Sequence, residues 1–192
     1  MTVMTGSVLD APALAPTVDW VSREPLLHDD VAPRVLLLGE DNPYGSDPSF
    51  SLYCYPPRCA GYNLRRILGL PQHQYLSLHR ANLCEGTWSN KRARERADEL
   101  LVPLSPHPVI VMLGRKVTDA MRRAAMIEGD LVPFSTTPCC PVLTLVSLPH
   151  PSGRNAAMWN PQARKRTREI LSKLVPELPW GSADAVAEEA RA

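Results

Sequence analysis

A chain of 192 residues with 44% hydrophobic content is long enough to bury one full core, so one domain with loose ends is the expected organisation. The formal net charge of +1 excludes no class of partner, because a local basic patch can hold nucleic acid on a neutral chain. The chain has no run of eighteen apolar residues and no charged-then-apolar leader with a cleavage signature, so a soluble cytoplasmic protein with no membrane partner is expected. Five cysteines, Cys54, Cys59, Cys84, Cys139 and Cys140, form an odd set without a CxxC pair, which argues against a secreted disulfide framework. Free, partly buried thiols are expected. A metal site on Cys54, Cys59, Cys84 and Cys139 has enough ligands but a spacing that matches no metal motif.

In chain order, residues 1–30 are rich in Ala, Pro, Val and Asp without period and read as an N-terminal arm, with Trp20 as a candidate anchor. The domain proper runs over 31–178, and 179–192 reads as a flexible tail. Val35 to Leu38 is a strand of consecutive branched apolar residues, suited to cover on both faces. Asn42 to Pro57, dense in proline and aromatics, is a long loop of the kind that usually carries function. A helix is predicted from Ala60 to Leu68, stopped by Gly69 and Pro71. Tyr75 to Leu83 reads as the second strand.

Ser89 caps a helix from about Asn90 to Leu101, whose Lys91, Arg92, Arg94 and Arg96 serve either solubility or phosphate contact. Pro108 to Leu113 is the third strand and turns at Gly114 into a helix through Met126. Residues 127–140 read as irregular, and Val142 to Val146 as the fourth strand. Asn160-Pro161 starts the last helix, which runs through Leu174. This alternation predicts the α/β class: a doubly wound, four-stranded parallel sheet with helices on both faces.

Such sheets place ligand sites at the carboxyl ends of their strands. Those ends offer Glu40, Asp41 and Asn42; Asn82; Gly114 with Arg115; and His150 with Ser152 and Arg154. There is no Walker loop, GxGxxG, HExxH or GxSxG, so phosphate cradles, zinc peptidases and serine-nucleophile elbows have no support. Two amides, one histidine, carboxylates, arginines and an aromatic loop suit a planar polar ligand and a leaving anion.

Four motifs in order resemble the uracil-DNA glycosylase superfamily: Gly39-Glu40-Asp41-Asn42-Pro43-Tyr44, Arg80-Ala81-Asn82-Leu83-Cys84, Leu113-Gly114, and His150-Pro151-Ser152-Gly153-Arg154-Asn155. The resemblance spans roughly residues 34–175. It is closest to the single-strand-selective monofunctional and mismatch-specific branches, while Tyr44 is similar to the classical uracil enzymes. Three residues stand between Gly39 and Pro43 where relatives have two, which leaves open whether Glu40, Asp41 or Asn42 faces the reacting carbon. The branch carrying an iron–sulfur cluster has its first cysteines before the first motif, and here Cys54 and Cys59 follow it.

The resemblance implies base flipping and N-glycosidic hydrolysis in DNA, single- or double-stranded, releasing uracil, a related damaged pyrimidine or hypoxanthine. It implies His150 as donor to uracil O2, Asn42 or Asp41 as holder of the water, and Asn82 as reader of the base edge. Tyr44 would fill the thymine-methyl space, and Phe50 or Tyr53 would stack on the ring. Ser152, Arg154, Arg115 and Arg92 would contact DNA. No metal or other cofactor is implied, and a monomer is expected, at the nucleoid if the source is bacterial. Asn42, Asn82 and His150 are then expected to converge at one end of the sheet. Two rival readings are a non-catalytic module that binds a modified base or a protein, and an enzyme acting on a small nucleobase conjugate.

Overall fold

The computed structural model describes residues 34–41, 47–101 and 107–182. The expected arm over residues 1–30, the tail beyond 182, and Asn42 and Tyr44 lie outside them. The strands are β1 (Val35–Asp41), β2 (His79–Cys84), β3 (Val109–Leu113), β4 (Ser135–Cys140) and β5 (Leu143–Leu148). The helices are α1 (Ala60–Leu68), α2 (Gln72–Ser77), α3 (Asn90–Leu100), α4 (Arg115–Ala124) and α5 (Pro161–Leu174).

The sheet has five strands in the order β2-β1-β3-β5-β4. β1, β2, β3 and β5 are mutually parallel, and β4 runs antiparallel to β5. The expected four-stranded parallel sheet is therefore corrected to five strands with one antiparallel edge. The extra strand lies in the stretch 127–140 that reads as irregular. Its residues Ser-Thr-Thr-Pro-Cys-Cys alternate between half-buried and exposed, without an apolar side for a pattern to reveal. Pro138 is tolerated there because an edge strand need not donate on its outer side.

β1 explains the layering. Val35 and Leu37 pack with Leu64 and Leu68 of α1 and Leu171 of α5, whereas Leu36 and Leu38 pack with Ala93 and Ala97 of α3 and Val117 and Met121 of α4. Both faces are covered, which is why the strand is apolar throughout. Each buried leucine contributes about 1.5–3 kcal/mol. The predicted caps form: the Ser89 side chain accepts from the Arg92 amide, and the Asn160 side chain accepts from the Ala163 amide, with Pro161 opening α5.

A second correction concerns Tyr75 to Leu83, read as one strand. Gln72–Ser77 is helical and the strand begins at His79. Tyr75 is fully buried and its hydroxyl donates to the Leu52 carbonyl at 2.7 Å. That bond ties the helix to the loop carrying Ser51 and Tyr53.

The chain passes from β1 outward to β2 and then back across β1 to β3. The winding direction therefore reverses between β1 and β3, and their carboxyl ends flank the crevice where such sheets bind ligands. No helix among the described residues is long and apolar enough to cross a membrane.

Removing the Tyr75 hydroxyl strands a buried carbonyl, at a typical cost of about 1–3 kcal/mol. We expect Tyr75→Phe to lower stability by that amount in urea unfolding and to speed amide exchange in Ser51–Tyr53. Wild-type exchange there would mean that the bond does not anchor the loop.

Candidate functional site

β1 ends in Gly39, Glu40 and Asp41, and alternation turns Glu40 to the side of Leu36 and Leu38. β3 ends at Leu113, and Gly114, at φ 95°, swings the chain directly into α4. A Cβ at Gly114 would sit 3.0 Å from Glu40 Oε1 and 3.1 Å from His150 Cβ. Glycine is therefore required twice over at this position, by its backbone angle and by close approach. It leaves Glu40 and His150 as neighbours at the switch point.

His150 is held from two directions. Its carbonyl accepts from Asn155 Nδ2 at 3.1 Å and Trp159 Nε1 at 3.3 Å. Its Nδ1 accepts from the Ser152 backbone amide at 3.2 Å. With Nδ1 an acceptor, the neutral ring carries its proton on Nε2, which is left as a donor. Burial lowers the His150 pKa; the carboxylates of Glu40 and Asp41 oppose that and Lys116 adds to it. Burial and Lys116 thus favour the neutral donor.

Lys116, on the first turn of α4, pairs with Glu40 Oε2 at 3.1 Å and lies 5.3 Å from the centre of the Trp88 ring. His150, Glu40, Gly114, Arg115 and Lys116 line one cavity of about 710 Å³, with Thr118 and Ser147 in its lining and their hydroxyls 3.3 Å apart.

Asn82 lies elsewhere on the same carboxyl edge. Its Oδ1 occupies the space above Gly39, where a Cβ would come within 2.3 Å of it. Asn82 Nδ2 donates to Ser51 Oγ at 3.3 Å, and Oδ1 is buried without a partner. It faces a second cavity, of about 380 Å³, shared with Ser51, Asp47 and Arg92. Asn82 and His150 therefore open onto different cavities, separated by the end of β1.

The remaining expected residues divide as follows. Asp41 is half-buried at the end of β1 and acts on the charge of His150. Phe50 and Tyr53 stack edge to face, 5.9 Å apart, with Phe50 41% exposed, and neither lines either cavity. Arg92 donates to the Glu85 and Thr87 carbonyls at 3.3 and 3.1 Å, closing the turn before α3. Arg115 is exposed and pairs with Asp119 at 3.7 Å. Ser152 serves His150 through its amide, and Arg154 stands exposed on the 3-10 turn Gly153–Trp159 that follows.

The sequence leaves Glu40 as one of three candidates and does not single out Lys116. The phase of Glu40 with Leu36 and Leu38 was the available signal; Lys116 had none. Cys84 and Cys139 sit in β2 and β4 at opposite edges of the sheet, four strand spacings or roughly 19 Å apart, too far to share one metal ion. Comparison with models of known protein families and with curated proteins finds no match for this chain.

The depressed pKa of His150 fixes a pH dependence. Below the ordinary value of 6.5 the unfolded chain takes up the proton first, so the stability tied to neutral His150 is whole above that pH and lost as pH falls beneath it. His79, lowered by burial and by His107, acts in the same direction. Urea unfolding at about pH 7.5 and about pH 5.5 should therefore show a larger loss in the wild type than in His150→Gln. Equal losses would assign the acid sensitivity to other groups.

Proposed function

We propose that this chain is a monofunctional DNA N-glycosylase with the fold of the uracil-DNA glycosylase superfamily, a cytoplasmic monomer that flips uracil or a related damaged base out of DNA and hydrolyses its glycosidic bond. The observation that carries the reading is that Glu40 and His150 both crowd against Gly114, with Nδ1 of the histidine held as an acceptor. Breaking the bond between C1′ and N1 leaves positive charge on the sugar and negative charge on base O2. The Nε2 proton of His150 is available to O2 as that charge forms. Glu40, with Asp41 beside it, supplies carboxylate to face the sugar cation and to take the proton of the attacking water. Lys116 holds Glu40 in place.

Base reading falls to Asn82. Its unpartnered Oδ1 suits N3–H of uracil, and Nδ2 would exchange Ser51 for O4. Cytosine reverses both signs and would leave two polar groups unpaired, at about 1–3 kcal/mol each. The proposal requires the base to lie over the end of β1, between Gly39 and Glu40. A second reading, a glycosylase-like module that binds without cutting, is favoured by the separate cavities of Asn82 and His150.

Uracil-containing single- and double-stranded oligonucleotides, incubated with the protein and treated with alkali, decide between these readings. Cleavage supports the enzyme; binding without strand breaks supports the module. A donor acting in the transition state is typically worth about 2.7–4 kcal/mol. We expect His150→Ala to slow single-turnover cleavage by roughly a hundred- to a thousand-fold while affinity changes less than about tenfold. An unchanged rate per folded molecule would make His150 a packing residue.

Asn82→Asp should lose uracil activity and shift relative preference toward cytosine, whose amino group donates to a carboxylate. Equal loss on all bases would make Asn82 structural.

A further inference from the structure

α3 and α4 pack through small residues, and a groove of about 150 Å³ opens between them. That is below the about 300 Å³ at which pockets for whole small molecules begin, so the groove suits one compact group of a larger ligand. Ala93 and Ala120 are among the residues lining it, and Arg94, Arg123 and Lys116 bring positive charge from both helices. Trp88 also lines it; its indole donates to Asn90 Oδ1 at 2.8 Å and its ring lies beside the Lys116 ammonium.

The surrounding cations are engaged. Lys91 pairs with Glu95, Arg96 with Glu99, Arg115 with Asp119 and Lys116 with Glu40, while Arg92 is tied to carbonyls. Arg94 and Arg123, one on each helix, have no ion pair among the described residues. Asp119, the one acid in the lining, is paired with Arg115. Two guanidinium groups thus face one groove with no carboxylate of their own. Lys116 and Asp119 line both this groove and the His150 cavity, so the two share a wall.

We infer that the groove between α3 and α4 holds a backbone phosphate of the nucleic-acid strand whose flipped nucleotide enters the His150 cavity. The inference rests on the glycosylase or binding-module reading for the identity of the ligand. It assigns phosphate contact to Arg94 and Arg123 in place of Arg92, whose guanidinium is tied to the Glu85 and Thr87 carbonyls in the turn before α3. The groove carries no base recognition, because its contacts are charge and shape, and it acts alike on every sequence.

The test measures fluorescence anisotropy of a labelled, uracil-free single strand across a salt series, for wild type, for an Arg94→Glu, Arg123→Glu double variant, and for the matching double lysine variant. A Lys165→Glu, Arg166→Glu variant on α5 controls for bulk charge. Each lost phosphate contact should lower the magnitude of the logarithmic salt slope by about 0.7. We expect the glutamate variant to lose roughly tenfold or more in affinity with a slope flatter by about 0.7, the lysine variant to keep most of the binding, and the control to match wild type.

Equal slopes in wild type and the glutamate variant, or an equal fall in the α5 control, would overturn the groove. So would a wild type that binds no oligonucleotide. Cleavage of a uracil-containing strand by the wild type reports separately on the enzymatic reading: a protein that binds but never cuts loses that reading and keeps the groove.

Discussion

The central strands of this sheet are covered by helices on both faces, and that cover governs where chemistry can sit. Along β1 and β3 a polar side chain would lose its hydration without gaining a partner, so their interiors run apolar from Val35 to Leu38 and from Val109 to Leu113. Polar residues become affordable only where each strand leaves the sheet. Glu40 and Gly114 stand at those exits, on the two strands between which the winding reverses. Parallel pairing then fixes all four carboxyl ends on one edge. The site is a consequence of the cover, and the positive φ of Gly114 keeps it open.

The edge strand missed by pattern turns out to support that site. Phe134, immediately before β4, donates its amide to the Ser147 carbonyl at 2.7 Å and packs edge to face on Trp159, with ring centres 5.5 Å apart. Trp159 in turn donates to the His150 carbonyl. A chain of contacts therefore runs from the antiparallel edge to the backbone of the histidine, while the Ser152 amide sets the tautomer of its ring. The histidine is oriented by Ser152, Asn155 and Trp159, the last of them packed on Phe134. Its donor atom does not have to be ordered when a ligand arrives.

The basic residues sort by what their charge already does. Arg92 closes a turn, Lys116 holds Glu40, and Arg115, Arg96, Lys91 and Lys165 belong to exposed pairs worth little individually. A run of cations in sequence is thus not a uniform patch in the fold.

What the sequence determined by itself is what nearest neighbours determine. The runs at Val35 and Val109 mark buried strands because cover on both faces demands unbroken apolar residues. Ser89, Asn160-Pro161 and Gly69 mark helix ends because capping is settled within a few residues. The class of fold and the carboxyl-edge location of Asn82, Glu40 and His150 follow from those elements in order. Tertiary structure alone decided the rest. β4 exists through its ladder to β5, since its own residues have no apolar face, and Tyr75 belongs to a helix whose hydroxyl contact is the distant Leu52 carbonyl, so β2 begins only at His79. The pairing of Glu40 with Lys116 and the division of Asn82 and His150 between two cavities depend on atoms brought together from distant segments, and no local period in the chain encodes such distances.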